Sequence, residues 1–404
     1  MRVGRWAWRN VWRIRRRSAV TIAAMSLALV AMMLVAGLIE GYTRGMVRSV
    51  LDLEVGDLQI FASDYREHPS LYSRIEQPGA LLERLHAAGF RASGRLLSFG
   101  LAAAGQASAG VSLRGVQVDL DRTVSSVGSE VQRGRWLDPQ DPRGVVLGRR
   151  LARTLGVQPG DEILLLSQAA DGSMAYDLYR MRGVLRGIGD AVDRTGVFLT
   201  AAAFRELMVV PSGVHQILVR RPPDLDLALA AQRVRALAPE LDVRTWRQLM
   251  PTIASYIDSM YAIMAVMFFL VYVAIGILIL NAMLMAVFER IRELGVLKAI
   301  GVGPLDVFRL VACETGIQTG LAIALGLALG TPALIYLERV GLDLESLAGV
   351  SVLGIAMDPL WRAAVSPATF TGPVAMLVAI VFLASLYPAW KAAWISPLEA
   401  MRYR

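Results

Sequence analysis

The stretch FERIRELGVLKAIG, residues 288–301, stands at an abrupt change in the sequence. The thirty residues before Glu289, 259–288, contain no charged side chain. Four charged residues then fall within five positions: Glu289, Arg290, Arg292 and Glu293. Among and after them, apolar residues recur at three-residue spacing: Ile291, Leu294, Leu297 and Ile300. This pattern predicts a short amphipathic helix attached to the end of a long apolar one.

The composition of the whole chain is typical of a membrane protein. Of its 404 residues 55% are hydrophobic, and the mean hydropathy is +0.48, which is high for a soluble protein of this size. The net charge of +8 comes partly from seven arginines in the first seventeen residues, directly before an apolar run. Such a cluster favours a membrane surface over nucleic acid as the partner. The single cysteine, Cys313, is interpreted as a small core residue, so no disulfide framework is expected.

Four segments are long enough to cross a bilayer, whose hydrocarbon core of about 30 Å needs about 20 helical residues. They are 18–39, 259–288, 310–337 and 369–390. A basic region precedes the first, as in a secretory signal, but its 22 uncharged residues exceed a typical signal core and no small-residue cleavage site follows. The second would measure about 45 Å as a helix, so part of it is expected to project from the membrane.

Basic residues near the ends of these segments determine the predicted orientation. The N-terminal segment 1–17, the loop 289–309 and the tail 391–404 carry arginine and lysine and are assigned to the cytoplasm. The loop 338–368 has more acidic than basic residues, as expected of an outer loop. The chain is therefore predicted to be a multi-pass membrane protein. Both termini would lie in the cytoplasm, and the large domain 40–258 would lie on the outer side of the membrane.

The domain 40–258 is predicted to be mixed α/β. Short alternating or β-branched runs bounded by glycine and proline predict strands at 56–62, 109–118, 160–167 and 214–221. Helical patterns separate them at 79–89, 147–156, 200–208 and 226–238. The alternation favours two small α/β subdomains, one of them discontinuous in sequence.

Residues that could carry out catalysis are not found in a recognisable arrangement. A phosphate-binding loop needs G-x-x-x-x-G-K-[ST], but the two lysines, Lys298 and Lys391, are both followed by alanine. The histidines His68, His86 and His215 lack the spacing of metal ligands. We therefore predict no catalytic residue, no metal site and no cofactor bound by this chain, which would not be an enzyme itself.

The charged helix that begins at Glu289 has two interpretations. It could lie on the membrane surface with its arginines extended toward the headgroups. It could instead insert into a groove on a cytoplasmic partner. Glu289 and Glu293 favour the second, because anionic headgroups repel carboxylates.

Three stretches resemble the FtsX/MacB/LolCE permeases. ERIRELGVLKAIG (289–301) is similar to the coupling-helix signature of that family, and spaced glycines follow it up to Gly330. YPAWKAAWISPLEAMRYR (387–404) resembles the family's ending, and GVVLGRRLARTLGVQPGDEILLL (144–166) resembles its recurring external-domain pattern. The resemblance implies a membrane protein with four transmembrane α-helices and a large α/β, MacB-like periplasmic domain between helices 1 and 2.

The resemblance also implies the permease subunit of an ABC transporter, docked through its coupling helix on a separate ATPase dimer. ATP and Mg would be bound by that ATPase. The residues assigned to ATPase coupling are Glu289, Arg290, Arg292, Glu293, Leu294, Gly295, Leu297, Lys298, Ala299 and Gly301.

Within the family, the length and layout look most like the lipoprotein-releasing LolC and LolE subunits, which implies extraction of lipoproteins from the inner membrane. MacB-like efflux and FtsX-like force transmission to a periplasmic partner are the alternatives. Four helices are too few to enclose a path, so a second permease copy or a paralogue is expected, with membrane lipid or lipoprotein between the two. A periplasmic carrier or adaptor is a further expected partner. The residues assigned to a substrate cavity, which alternatively pack inside the chain, are Met25, Leu29, Met32, Met33, Met264, Met267, Phe268 and Val271.

Overall fold

The computed structural model describes residues 3–13, 15–343, 351–352, 355–356 and 360–396. Parts of three predicted segments therefore lie outside the described residues. These are 1–2 and 14 of the segment 1–17, 397–404 of the tail 391–404, and 344–350, 353–354 and 357–359 of the outer loop 338–368. The chain forms two compact units. The helical unit comprises 1–44, 257–345 and 360–404, and the α/β unit comprises 45–256 and 346–359.

Thirteen α-helices occur in the described part of the chain. They are α1 (Val3–Arg13), α2 (Arg15–Val50), α3 (Pro78–Ala87), α4 (Val118–Val124), α5 (Arg149–Leu155), α6 (Asp190–Thr195), α7 (Ala201–Met208), α8 (Leu227–Leu237), α9 (Trp246–Leu249), α10 (Pro251–Glu289), α11 (Ile291–Ala299), α12 (Pro304–Arg339) and α13 (Pro367–Trp394).

Among the described residues, four helices are long and apolar enough to cross a membrane: α2, α10, α12 and α13. Each of the four predicted spans lies within one of them. Their shared core contains Leu29 of α2, Tyr272 of α10, Ala322 of α12 and Leu377 of α13. The Tyr272 hydroxyl donates to the carbonyl oxygen of Pro373 at 2.9 Å, which satisfies the polar end of a side chain with no exposed surface.

Glycines allow α12 to approach α2 closely. A Cβ placed on Gly326 would lie 2.7 Å from a terminal carbon of Leu29, and one on Gly330 would lie 3.0 Å from the Met33 methyl carbon. At Gly316 and Gly320, by contrast, a Cβ would meet no described atom within 4 Å. Among the described residues, the glycine pair Gly326 and Gly330 therefore serves the packing of α12 on α2, whereas the pair Gly316 and Gly320 faces open space.

The α/β unit is built on one mixed sheet. Its strands are β1 (Leu58–Phe61), β2 (Arg91–Ala104), β3 (Ala107–Val116), β4 (Val131–Gly134), β5 (Gly144–Leu147), β6 (Glu162–Gln168), β7 (Met174–Leu185), β8 (Gly196–Thr200), β9 (Gln216–Arg220) and β10 (Asp242–Thr245). The order is β10-β1-β9-β2-β3-β8-β5-β7-β4, with β6 paired to β2 and β7. The pairs β3–β8 and β5–β7 are parallel. Four two-residue strands follow: β11 (Leu342–Asp343), β12 (Ser351–Val352), β13 (Ile355–Ala356) and β14 (Leu360–Trp361).

The α/β unit is one compact unit with two main apolar cores, and its division into two subdomains stays a prediction. One core joins residues from both ends of the domain, including Leu58, Leu85, Ile217 and Val234, and is therefore discontinuous in sequence. The other lies within the intervening segment and contains residues such as Leu151 and Phe204. Every predicted strand and helix of this domain overlaps an observed one, and the predicted fold class is confirmed.

Candidate coupling site

The predicted amphipathic helix is α11, which a single residue, Arg290, separates from the end of α10. The Leu294 amide donates to the Arg290 carbonyl oxygen at 3.0 Å, so the short helix starts as soon as the long one stops. At the other end Gly301 has φ +102, a left-handed conformation that glycine adopts without strain. Pro304 then starts α12. The sequence next to α11 therefore determines where this helix begins and ends.

One face of α11 packs on the helical unit. Ile291, Leu294 and Gly295 are buried, and Leu297 is half-buried. The residues of the same apolar cluster come from the ends of α10, α12 and α13: Val287, Val307, Val311, Ala389 and Ala392. Leu294 and Gly295, two of the predicted coupling residues, are thus not on the surface, because the apolar face of α11 is covered by its own chain.

Lys298 connects the C-terminal end of α11 to the C-terminal end of α13 through hydrogen bonds. Its ammonium donates to the carbonyl oxygens of Ala393 at 2.7 Å and Ile395 at 2.6 Å. A cation at a helix C-terminus satisfies carbonyls that have no partner within the helix and is favoured by the helix dipole. Burial lowers the pKa of Lys298 from its ordinary value.

Three arginine–glutamate pairs join this region to distant parts of the chain. Arg13 of α1 binds Glu293 at 2.7 Å. Arg17 of α2 binds Glu289 at 2.9 Å. Buried Arg290 contacts Glu314 of α12 at 3.2 Å, and its Nη2 donates to the Asn10 carbonyl oxygen at 3.4 Å.

The opposite face of α11 is exposed. Of the predicted coupling residues, Arg292, Glu293 and Ala299 lie there, while Glu289 and Gly301 are exposed beside it. Val296 is 47% exposed and Ile300 76% exposed, although both are apolar. An apolar ridge flanked by charged residues is a typical surface for a partner groove.

The sequence did not identify every residue of this site. Arg13 and Asn10 lie 280 residues from their partners Glu293 and Arg290, so no local spacing indicates the contacts. The available signal was the alternation of tryptophan and arginine in α1, which marks an amphipathic helix but not what it touches. Val296 and Ile300, the two exposed apolar residues of the site, were absent from the predicted coupling residues.

The predicted substrate-cavity residues belong to one apolar cluster inside the helical unit. Five of them have little or no exposed surface: Met25, Leu29, Met32, Met33 and Phe268. For these five the prediction of a lining role is corrected, because neighbouring helices of the same chain cover them. Met264, Met267 and Val271 are half-buried at the edge of the cluster and remain candidates.

Metal binding finds no support in the part of the chain that the structure describes. No group of three or more histidine, cysteine, aspartate or glutamate side chains there is placed to hold an ion.

Known families match both parts of the chain. The MacB-like periplasmic core domain matches residues 18–237, and the FtsX-like permease C-terminal domain matches 265–397. The lipoprotein-releasing system transmembrane protein LolC of Xylella fastidiosa is 25% identical over 307 residues, 72% of each chain. The macrolide export ATP-binding/permease protein MacB of Agrobacterium fabrum is 24% identical over 72% of this chain and 43% of its own length.

Among solved structures, the periplasmic region of MacB from Actinobacillus actinomycetemcomitans is similar to 49% of this chain and covers 92% of that one. The identity is 14% and the TM-score 0.35. The match to the first domain alone covers more than half of the sequence, and the second match covers most of α10 and all of α11, α12 and α13. The chain therefore belongs to the family of FtsX-like ABC transporter permeases that carry a MacB-like periplasmic core domain.

Proposed function

We propose that this chain is the non-catalytic membrane subunit of an ABC transporter and receives force from a separate ATPase dimer through α11. The observation that carries the proposal is the two-sided character of α11. One face is fixed to α12 and α13 by Leu294 and Lys298, and the other presents Val296 and Ile300. α11 follows α10 after the single residue Arg290 and packs on Val287 of α10, so it moves with α10. α10 itself runs without interruption over 39 residues.

Removal of the exposed ridge tests ATPase docking. Val296→Asp combined with Ile300→Asp should reduce co-purification of a protein carrying G-x-x-x-x-G-K-[ST] by at least about tenfold, because unpaired carboxylates are costly to bury in an interface. Leu229→Asp, which changes a residue of α8 that is 52% exposed, is the matched control and should leave co-purification unchanged. Undiminished co-purification with the doubly substituted chain would favour the membrane-surface interpretation of α11.

Hydrolysis is assigned to the partner. Neither lysine of this chain is followed by serine or threonine, so the chain offers no phosphate-binding loop of the usual kind. The purified chain alone should show no vanadate-sensitive ATP hydrolysis. Such activity in a sample free of other proteins would contradict the assignment.

The substrate we propose is a lipoprotein of the inner membrane. In the proposed orientation, both termini of the permease lie in the cytoplasm and its large domain lies in the periplasm. Support comes from the LolC relative, which matches over 72% of both chains. The match to the MacB-like periplasmic core favours export of another amphiphile as the second candidate. Two permease subunits, identical or paralogous, would face each other across the substrate.

Photo-crosslinking distinguishes these substrates. A photo-reactive residue in place of half-buried Met264 should capture an acylated protein in membranes before ATP is supplied and lose it afterwards. The same residue in place of Met33, which has no exposed surface, should capture none. Capture of bulk phospholipid alone at Met264, regardless of ATP, would argue against lipoprotein extraction.

A further inference from the structure

A partly open cavity of about 110 Å³ lies beside α11 and is lined by residues of α1, α2, α10, α11 and α12 and by Arg290. One water molecule needs roughly 10–15 Å³ of such a cavity, so a group of several heavy atoms fits into it. Its apolar wall includes Met283, Leu310 and Val311. Its polar lining includes Arg13, Arg17 and Arg290. A cavity that combines an apolar wall with several cations suits an amphiphilic anion.

Arg290 is the central donor of this cavity. Only 8% of its surface is exposed, and its Nε–H has no partner among the described residues. Its remaining contacts are long, at 3.2 Å to Glu314 and 3.4 Å to the Asn10 carbonyl oxygen. A buried charged donor without an acceptor is costly, and an anion in the cavity would remove that cost.

The charge of the surroundings favours an anion. Segments 3–17 and 287–299 together carry eight arginines and one lysine against two glutamates. Glu293 and Glu314 also line the cavity, but each is already held by an arginine. The charged lining therefore consists of three arginines against two glutamates, a net charge of +1, and Arg17 is also paired with Glu289.

The source of the anion follows from α1. Trp6, Trp8 and Trp12 are each about half exposed, whereas Ala7 and Val11 are buried against the chain. Tryptophan and arginine on the open face of a short helix are typical of a helix lying at the level of the lipid headgroups. Trp6 and Arg13 belong to this helix and also line the cavity.

We propose that this cavity binds the phosphate of an anionic phospholipid, with the Arg290 Nε–H as the central donor and Arg17 beside it. The bound lipid contacts α2 through Arg17 and the residue before α11 through Arg290, so the composition of the bilayer acts on the position of the coupling helix. This site is independent of the transported substrate and of the ATPase.

Lipid retention by the purified full chain tests the proposal. After delipidation in a neutral detergent, native mass spectrometry should show one tightly held phosphatidylglycerol and at least about tenfold less phosphatidylcholine, whose cation is repelled by the arginines. Arg290→Gln should reduce phosphatidylglycerol retention by about tenfold or more. Arg309→Gln removes a nearby exposed charge outside the cavity and should retain the lipid.

A second variant covers the case in which Arg290→Gln does not fold. Ala286→Leu fills the cavity without changing a charge and should reduce retention as strongly. Inorganic phosphate is added in a parallel thermal-unfolding series and should protect less than phosphatidylglycerol. Equal protection by phosphate, equal retention of phosphatidylcholine, or wild-type retention by the Ala286→Leu chain would each overturn the proposal.

Discussion

Arg95–Asp121 in the α/β unit and Arg290–Glu314 in the helical unit are both buried ion pairs, but their donors are satisfied differently. Arg95 makes two short parallel contacts, Nε to Oδ1 at 2.8 Å and Nη2 to Oδ2 at 3.0 Å, with side chains 2% and 5% exposed. Arg290 uses Nη1 alone toward Glu314, with side chains 10% and 13% exposed. The Arg95 guanidinium therefore makes two hydrogen bonds to its own partner, Asp121. The Arg290 Nε–H has no partner among the described residues and lies beside a cavity.

The largest expected effect comes from breaking the complete pair. Asp121→Ala leaves the Arg95 guanidinium buried and unpaired, which should reduce the free energy of unfolding by about 3–5 kcal/mol. Chemical denaturation with hydrogen exchange of the β2 amides as the local readout measures this. Replacing both residues by apolar ones of similar volume should restore most of the stability. A loss below about 1 kcal/mol for Asp121→Ala would mean that water reaches the pair.

Acidification extends the comparison to a second buried group of the α/β unit. His215 has no exposed surface, and burial lowers its pKa from 6.5 to about 4, with Arg74 and Arg205 adding to the effect. Its Nδ1 accepts from the Leu97 amide at 3.0 Å, so Nε2 carries the proton toward the Leu71 carbonyl oxygen.

Between pH 6.5 and 4 the unfolded chain takes up a proton at His215 that the folded chain does not. Stability should therefore fall as the pH falls through this window, by about 3 kcal/mol in total. Unfolding measured across this range in His215→Gln should lack that part of the slope, and His68→Gln, which changes an exposed histidine, should keep it. Equal slopes in both variants would show that other groups dominate.

The incomplete pair should tolerate the loss of its carboxylate better. Glu314→Gln keeps one acceptor for Arg290, and the adjoining cavity admits water, so we expect a loss of about 1–2 kcal/mol. Thermal unfolding in detergent, followed by tryptophan fluorescence, gives the comparison with Asp121→Asn. A greater loss for Glu314→Gln than for Asp121→Asn would reverse the distinction between the two pairs.

The smallest expected effect concerns the two glycine pairs of α12. Gly326→Ala places a methyl group against fully buried Leu29 and should cost about 1 kcal/mol through overpacking. Gly320→Ala meets open space and should change stability by no more than about 0.5 kcal/mol, or raise it through better helix propensity. The same thermal unfolding measurement applies to both, and identical shifts would contradict the assigned packing.

Local patterns were sufficient to predict the four membrane helices, but only four of the ten strands of the sheet, β1, β3, β6 and β9. Uncharged runs such as 259–288 indicate membrane helices because a helix satisfies all its backbone groups within one segment of lipid-embedded chain. Among the missed strands, β7 alternates between exposed and buried residues, but its exposed positions carry Met174, Tyr176 and Leu178, which hide the period. Leu29 and Met33 of α2 are buried against Gly326 and Gly330 of α12, which lie some 300 positions away in the sequence. Sequence spacing cannot express such contacts.

Lys298 has a consequence for the order in which the protein is made. Its two acceptors, Ala393 and Ile395, are translated 95 and 97 residues later. At a typical rate of synthesis this interval lasts roughly 5–20 s. A nascent chain therefore contains α11 for several seconds before the contact that fixes its end can form. The last turn of α11 becomes fixed only after the fourth long helix, α13, has been synthesised.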